Sequence, residues 1–186
     1  GDITPSGRTV DTWAVDFTAN PSYVNFNTKT DANAQGADGN GTLTGYTRYS
    51  VDGSPVGTWS VGYEEGIYVG YRYYETRAYE EAKAGNDGWY AENVVYPFGY
   101  GLSYTEFTWN VAPSVEAGSA IAKDDVLSFD VTVTNSGSAA GQDVVELYYT
   151  APYGKEATGN DTVIEKAHVV LGDFAKTAIL QPGESQ

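Results

Sequence analysis

Residues 127–135, LSFDVTVTN, give the clearest structural signal in the chain. Apolar and polar side chains alternate along this stretch. Successive side chains of a strand point to opposite faces, so one face would be apolar and the other polar. This alternation is typical of an antiparallel strand that is buried on one side only. We therefore predict a half-buried strand here, followed by a turn at 135–138.

Further short strands flank this one. Phe107 and Trp109 lie two residues apart and would share a face of a preceding strand. Residues 144–150 predict the next strand, and 168–174 and 178–180 predict two more, although Gly172-Asp173 would interrupt the first of these. Strands at this spacing predict a β-sandwich of the immunoglobulin or fibronectin type III kind, with about five of the usual seven or so strands visible. We expect the last strands to be missing.

The first half of the chain has a different pattern. Residues 61–75, VGYEEGIYVGYRYYE, predict a strand covered on both sides, since Ile67 and Val69 share one face with Tyr71 while the other face is also largely aromatic. Residues 76–84 are rich in Ala, Glu, Lys and Arg and predict a helix. Residues 93–104 combine glycine, aromatic residues and a proline, which favours a packed connecting segment without a regular element.

Composition excludes several functions. The 186 residues include 10 basic and 25 acidic side chains, a net charge of −15, so nucleic acid and anionic membranes are not expected partners. The absence of cysteine excludes disulfides and thiolate metal sites, and the single histidine, His168, excludes a metal site built from several histidines. No glycine-rich nucleotide motif follows a strand, so we predict no cofactor.

Three stretches, in order, resemble the C-terminal part of glycoside hydrolase family 3, the β-glucosidase and β-xylosidase family. The first is 1–8, GDITPSGR, similar to the family's G-D-x-N-P-S-G-R/K segment, with Thr4 in place of the commoner asparagine. The second is 63–75, YEEGIYVGYRYYE, with 96–107, YPFGYGLSYTEF. The third comprises VTVTNSG, GQDVVELY, LGDF and LQPGES, at 131–137, 141–148, 171–174 and 180–185. Only about 27–58 lacks a counterpart.

The resemblance implies a mixed fold in two incomplete domains. Residues 1–104 would be the closing part of an α/β sandwich domain with a polar loop insertion at about 27–58, and 105–186 a fibronectin type III-like domain without its final strands. It also implies a retaining β-glycosidase that acts on β-glucosides or related glycosides, and whose aspartate nucleophile and acid/base carboxylate lie outside this chain. The absence of methionine and the start at Gly1 fit a fragment. We therefore expect a supporting piece that is inactive alone. The resemblance implies that its partner is the rest of the parent enzyme, which comprises a TIM-barrel domain and the remainder of the α/β sandwich, and that carbohydrate is a substrate only of the intact enzyme.

No catalytic residue is predicted within the chain. Glu64 and Glu65 are adjacent, and neighbours in a strand point to opposite faces, so the two cannot flank one scissile bond. One of them alone remains a possible substrate neighbour. Glu80 and Glu81 are expected to face solvent on the helix, and His168 is expected to be a surface or satisfied side chain.

Two binding hypotheses remain at this stage. Residues 31–36, DANAQG, begin like a calcium loop, but Thr42 stands where the bidentate glutamate is needed, so a plain polar loop is favoured and no metal is predicted. Trp59 and Trp89 are the predicted substrate-binding residues, because aromatic rings stack on sugar rings; the alternative for the aromatic residues of 59–104 is packing.

Two other functional classes are open on the sequence alone. A freestanding carbohydrate-binding or interaction module is compatible with the aromatic density and the predicted β-sandwich. A structural repeat of a surface protein predicts a second copy of the motifs, which the chain does not contain.

Overall fold

The computed structural model describes residues 2–23, 48–49, 55–56, 65–122, 124–153 and 164–186. Two compact units are present. We call Gly1–Thr9, Gly99–Tyr149 and Leu171–Gln186 the β unit, and Val10–Phe98 with Thr150–Val170 the helical unit.

The described elements run in the following order along the chain. They are β1 (Trp13–Ala14), a 3-10 helix (Phe17–Ala19), β2 (Arg48–Tyr49), β3 (Pro55–Val56), α1 (Tyr71–Lys83), α2 (Trp89–Asn93), β4 (Val94–Tyr96), β5 (Phe107–Pro113), β6 (Phe129–Asn135), β7 (Val144–Tyr149) and β8 (Val170–Lys176). The mixed fold class is therefore confirmed at this coarse level.

The strands of the β unit form antiparallel pairs. Strand β5 pairs with β6, with Phe107 opposite Asn135 and Pro113 opposite Phe129, and β7 pairs with β8. The strands predicted at 107, 127–135 and 144–150 are confirmed, with β6 beginning at Phe129. The predicted interruption at Gly172-Asp173 is wrong, because β8 runs through both residues.

The centre of the β unit holds a buried polar side chain. Asn135 is fully buried; its carboxamide oxygen accepts the Thr105 hydroxyl at 2.7 Å and the Gly137 N–H at 3.1 Å. Its amide nitrogen donates to the carbonyls of Ala139 and Leu180, both at 2.8 Å. Every polar atom of this side chain is thus paired, which is the condition for burying an amide without a large penalty.

The N-terminal segment is fixed to the β unit by a buried carboxylate. Arg8 forms an ion pair with Asp143, whose side chain is 8% exposed. The other carboxylate oxygen accepts the indole N–H of Trp109 at 2.8 Å, and the Asp143 N–H donates to the Thr177 hydroxyl at 3.0 Å. Thr4 adds a hydrogen bond to the Ala140 carbonyl at 2.6 Å.

These contacts group residues 1–9 and 99–104 with the strands that follow them. The predicted domains, 1–104 and 105–186, divide the chain at a different place. The β and helical units are defined by contacts within this chain, whereas the predicted domains are those of longer related enzymes. The boundary at 104–105 therefore stays a prediction.

The helical unit corrects the prediction for 61–75. Among the described residues of that range, 65–70 contain no strand and α1 begins at Tyr71. Gly70 has φ +57°, a backbone conformation that favours glycine and that an extended strand does not contain. The helix then continues through the predicted 76–84 segment to Lys83. The strand prediction is wrong because aromatic residues on both faces fit either periodicity.

A second correction concerns 93–104. Val94–Tyr96 form β4, which pairs with β1 so that Trp13 lies opposite Tyr96. The expectation of a segment without a regular element is wrong for these three residues, although 97–104 contain no helix or strand. Among the described residues, no helix is long and apolar enough to cross a membrane.

Removing the Asp143 carboxylate should destabilise the β unit strongly. Loss of one partner from a buried ion pair leaves the charge of the other partner uncompensated. The Arg8 side chain is 18% exposed, so water reduces this penalty. We therefore expect Asp143→Ala to lower the free energy of unfolding by about 2–3 kcal/mol. Urea denaturation followed by tryptophan fluorescence measures this. The exposed Asp130→Ala is the matched control and should change stability by less than about 0.5 kcal/mol. Equal effects of the two substitutions would contradict the assignment.

Candidate functional site

Of the two predicted substrate-binding tryptophans, only Trp89 lies within the described residues; Trp59 lies outside them. Trp89 begins α2 and is half-buried. Its ring lies 6.5 Å from that of Tyr73 and 6.3 Å from that of Tyr74, measured between ring centroids. Trp89 therefore contributes to a cluster of aromatic rings, as the packing alternative expects. Its predicted role in substrate binding stays a prediction.

Other aromatic residues of the helical unit also have packing partners. Tyr71 contacts Phe98, with ring centroids 4.8 Å apart, and Tyr90 donates a hydrogen bond to Glu75 at 2.6 Å. Tyr74 is 2% exposed, and burial raises its pKa. Packing therefore accounts for these rings without a ligand.

The acidic residues singled out from the sequence have structural partners where they are described. Glu65 accepts the Ser22 hydroxyl at 3.0 Å, and Glu64 lies outside the described residues. On α1, Arg77 pairs with Glu81 at 2.5 Å and Lys83 pairs with Glu80 at 3.3 Å. Glu80 is exposed, as predicted, whereas the side chain of Glu81 is only 20% exposed.

His168 occupies a packing position in the helical unit. Its ring stacks on that of Tyr79 at 3.9 Å with an interplanar angle of 9°. Its backbone N–H donates to the Thr76 hydroxyl at 2.8 Å. The ring contact is consistent with a packed side chain, whereas the hydrogen bond involves only the backbone. His168 precedes β8, so the strand predicted at 168–174 begins at Val170 instead.

The calcium-like loop at 31–42 lies outside the described residues. Within the part of the chain that the structure describes, no group of three or more histidine or acidic side chains is placed to hold a metal ion.

A cleft of the helical unit combines aromatic and acidic side chains, of which sequence reasoning singled out only Glu65. Its volume is 760 Å³, and its lining includes the side chains of Asp11, Trp13, Phe17, Tyr23 and Glu65. The indole of Trp13 is 59% exposed and the ring of Phe17 is 68% exposed. Exposed aromatic faces beside carboxylate acceptors suit a ligand with both apolar and hydroxyl surfaces.

Local structure fixes this cleft. Pairing of β1 with β4 brings Trp13 against Tyr96, at 6.1 Å and 68° between rings. The Asp11 carboxylate accepts the Thr12 N–H at 2.8 Å, while the Thr12 hydroxyl is buried without a hydrogen-bond partner among the described residues. Any Cβ at Gly70 would lie 2.7 Å from Asp11, so glycine is required there. The long-range pairing of Trp13 and Tyr96 carries no local signal that could have revealed the site.

Known proteins similar to this chain are β-glucosidases. The chain is 37% identical over its whole length to β-glucosidase A of Butyrivibrio fibrisolvens, of which the match spans 18%. A solved β-glucosidase of Paenibacillus barengoltzii matches 100% of the chain with 15% of its own, at 37% identity and a TM-score of 0.63. A family 3 β-glucosidase of Bifidobacterium adolescentis matches 99% of the chain with 19% of its own, at 25% identity and a TM-score of 0.60. No protein-family profile matches the chain.

The relatives of this chain therefore define one class of protein, the β-glucosidases. The chain corresponds over its full length to one portion of the β-glucosidases of glycoside hydrolase family 3, and the resemblance seen in its motifs is confirmed. It spans less than a fifth of the curated β-glucosidase named above.

One contact of the helical unit predicts a pH effect. The Tyr68 hydroxyl donates to the Glu165 carboxylate, and this hydrogen bond raises the pKa of Tyr68 to about 12. A raised pKa means that the folded state favours the protonated phenol, so this contribution is complete below pH 10 and is lost between pH 10 and about 12. Urea midpoints measured across that range should fall less steeply in Tyr68→Phe than in the wild type.

Glu165→Gln is the matched variant, because it keeps the size of the side chain and removes its charge. It should flatten the same pH dependence and bring the pKa of Tyr68 back toward 10 in an ultraviolet titration. Unchanged slopes in both variants would show that the contact does not form.

Proposed function

We propose that this chain is a supporting, non-catalytic portion of a retaining β-glucosidase of glycoside hydrolase family 3. The observation that carries the proposal is the match of its entire length to part of a β-glucosidase at 37% identity. The remainder of the enzyme would supply the catalytic groups and bind the carbohydrate substrate. The freestanding binding module is not favoured, because the matching proteins are named as enzymes.

The finer domain assignment belongs to the same proposal. Residues 1–104 would close an α/β sandwich domain, and 105–186 would form a fibronectin type III-like domain. The antiparallel pairs β5–β6 and β7–β8 support the second assignment, since such sandwiches are built from antiparallel strands.

The chemistry of retention explains why the chain alone would be silent. Retaining glycosidases place two carboxyl groups about 5–5.5 Å apart, one as nucleophile and one as acid and base. The carboxylates described above already have partners within this chain: Glu65 pairs with Ser22, Glu81 with Arg77, and Asp143 with Arg8. Their role is to hold the fold that supports the catalytic groups elsewhere.

Activity assays on two proteins test the proposal. The isolated chain should not hydrolyse an aryl β-glucoside, whereas a longer protein that includes the barrel and the rest of the α/β domain should. The first glucose released by that protein should be the β-anomer, which proton NMR detects before mutarotation. Turnover by the isolated chain, or inversion by the longer protein, would contradict the proposal.

Trp89 is proposed, with Trp59, to contact the substrate in that longer enzyme. Trp89→Ala should raise KM for the aryl glucoside several-fold, because a stacking face is lost. It should also lower the free energy of unfolding by about 2–3 kcal/mol, less than for a fully buried tryptophan, since the ring packs on Tyr73 and Tyr74.

The matched control is Tyr90→Phe, on the neighbouring position of the same helix, which removes the hydrogen bond to Glu75 and keeps the ring. It should lower stability with no change in KM. If Trp89→Ala also leaves KM unchanged while lowering stability, Trp89 has a packing role only.

A further inference from the structure

The cleft of the helical unit presents two exposed aromatic side chains to a ligand. The indole of Trp13 is 59% exposed and the ring of Phe17 is 68% exposed. Each of them is held by a second ring: Trp13 contacts Tyr96, and Phe17 contacts Tyr23 at 5.3 Å with an interplanar angle of 82°. Binding to aromatic faces that are already held in place has a lower entropic cost than binding to mobile ones.

Hydrogen bonds fix the segment that carries Phe17. The Asp16 carboxylate accepts the Thr18 N–H at 2.9 Å and the Thr18 hydroxyl at 2.6 Å, which caps the short 3-10 helix that begins at Phe17. The Ser22 hydroxyl donates to Glu65 at 3.0 Å. Glu65 also lines the cleft, so this bond joins the two segments of sequence that form it.

Polar groups lie beside the aromatic rings. One carboxylate oxygen of Asp11 accepts the Thr12 N–H at 2.8 Å, and its other oxygen has no hydrogen-bond partner among the described residues. The indole N–H of Trp13 also lacks such a partner in the described part of the chain. All three residues line the cleft. The cleft therefore offers a carboxylate acceptor and an N–H donor next to apolar ring faces.

We propose that this cleft binds a neutral pyranoside, with the sugar ring against Trp13 and its hydroxyls bonded to Asp11. A pyranose has C–H groups that pack on an aromatic face and hydroxyls that donate to a carboxylate. The cleft volume of 760 Å³ lies within the range of about 300–1,000 Å³ that ligand pockets occupy. The proposal goes beyond the proposed function, because it gives the supporting portion a sugar site of its own.

Charge and size disfavour two other kinds of ligand. The net charge of −15 repels anions such as sugar phosphates. A quaternary ammonium group is attracted by ring faces and carboxylates, but it fills only a small part of 760 Å³. A mono- or disaccharide is large enough to contact the rings and Asp11 together.

Fluorine NMR of the chain labelled with fluorotryptophan tests the site. The four tryptophans give four signals, and the signal that is missing from Trp13→Phe belongs to Trp13. Methyl β-D-thioglucoside, whose sulfur linkage resists hydrolysis, should shift the Trp13 signal in a saturable manner. The signal of Trp109, assigned in the same way, should not move, because this exposed indole lies in the β unit.

Phe17→Ala and Tyr104→Ala form a matched pair of variants. The two side chains are 68% and 58% exposed, so neither substitution removes a buried ring, and only Phe17 of the two lines the cleft. Phe17→Ala should weaken binding of the thioglucoside about fivefold, since one aromatic contact is lost. Tyr104→Ala should leave the affinity unchanged.

The same titration of the longer enzyme distinguishes a ligand site from a surface that the rest of the polypeptide covers. The Trp13 signal should shift with the thioglucoside there as well. An unmoved Trp13 signal in the longer enzyme would overturn the proposal, and so would equal effects of Phe17→Ala and Tyr104→Ala. Tighter binding of tetramethylammonium than of the thioglucoside would assign the cleft to cations and would also overturn it.

These outcomes are separate from those of the activity assays. An inactive longer protein contradicts the proposed function and leaves the sugar titration intact. Conversely, an unmoved Trp13 signal contradicts only the sugar site.

Discussion

The buried carboxylate of Asp143 is the constraint on which the β unit depends. It forms an ion pair with the guanidinium of Arg8 and accepts a hydrogen bond from the indole N–H of Trp109. The backbone N–H of Asp143 donates to the hydroxyl of Thr177. Four segments far apart in sequence therefore meet at one charged group. An unpaired carboxylate at this depth is costly, so the N-terminal segment and the strands can adopt this arrangement only together.

The elements that could be predicted are those whose apolar and polar residues recur with a regular period along the sequence. In β6, polar and apolar residues alternate strictly, and the strand was found within two residues. In 67–73 both faces are aromatic or apolar, so the same rule gave a strand where α1 begins at Tyr71. The deciding residue was Gly70, whose positive φ has no periodic signature.

The candidate site was less predictable, because its residues meet through tertiary structure. Trp13 gains its position by pairing with Tyr96, and the Glu65 carboxylate accepts the Ser22 hydroxyl across 43 residues of sequence. Neither relation leaves a pattern within a single window. Trp89 was singled out by residue type alone, and type does not distinguish a ring that packs on Tyr73 from one that meets a sugar.

The two kinds of exposed aromatic surface have different physical meaning. In the helical unit, the exposed rings of Trp13 and Phe17 stand beside carboxylates, which is compatible with a polar, hydroxyl-bearing ligand. In the β unit, an apolar groove lies beside β6, where the backbone groups of Val131 and Phe129 on one edge have no hydrogen-bond partner among the described residues. Aromatic faces and open backbone groups therefore differ in what they can bind: a ring can stack on an apolar face, whereas backbone groups along a strand edge pair in register only with another extended chain.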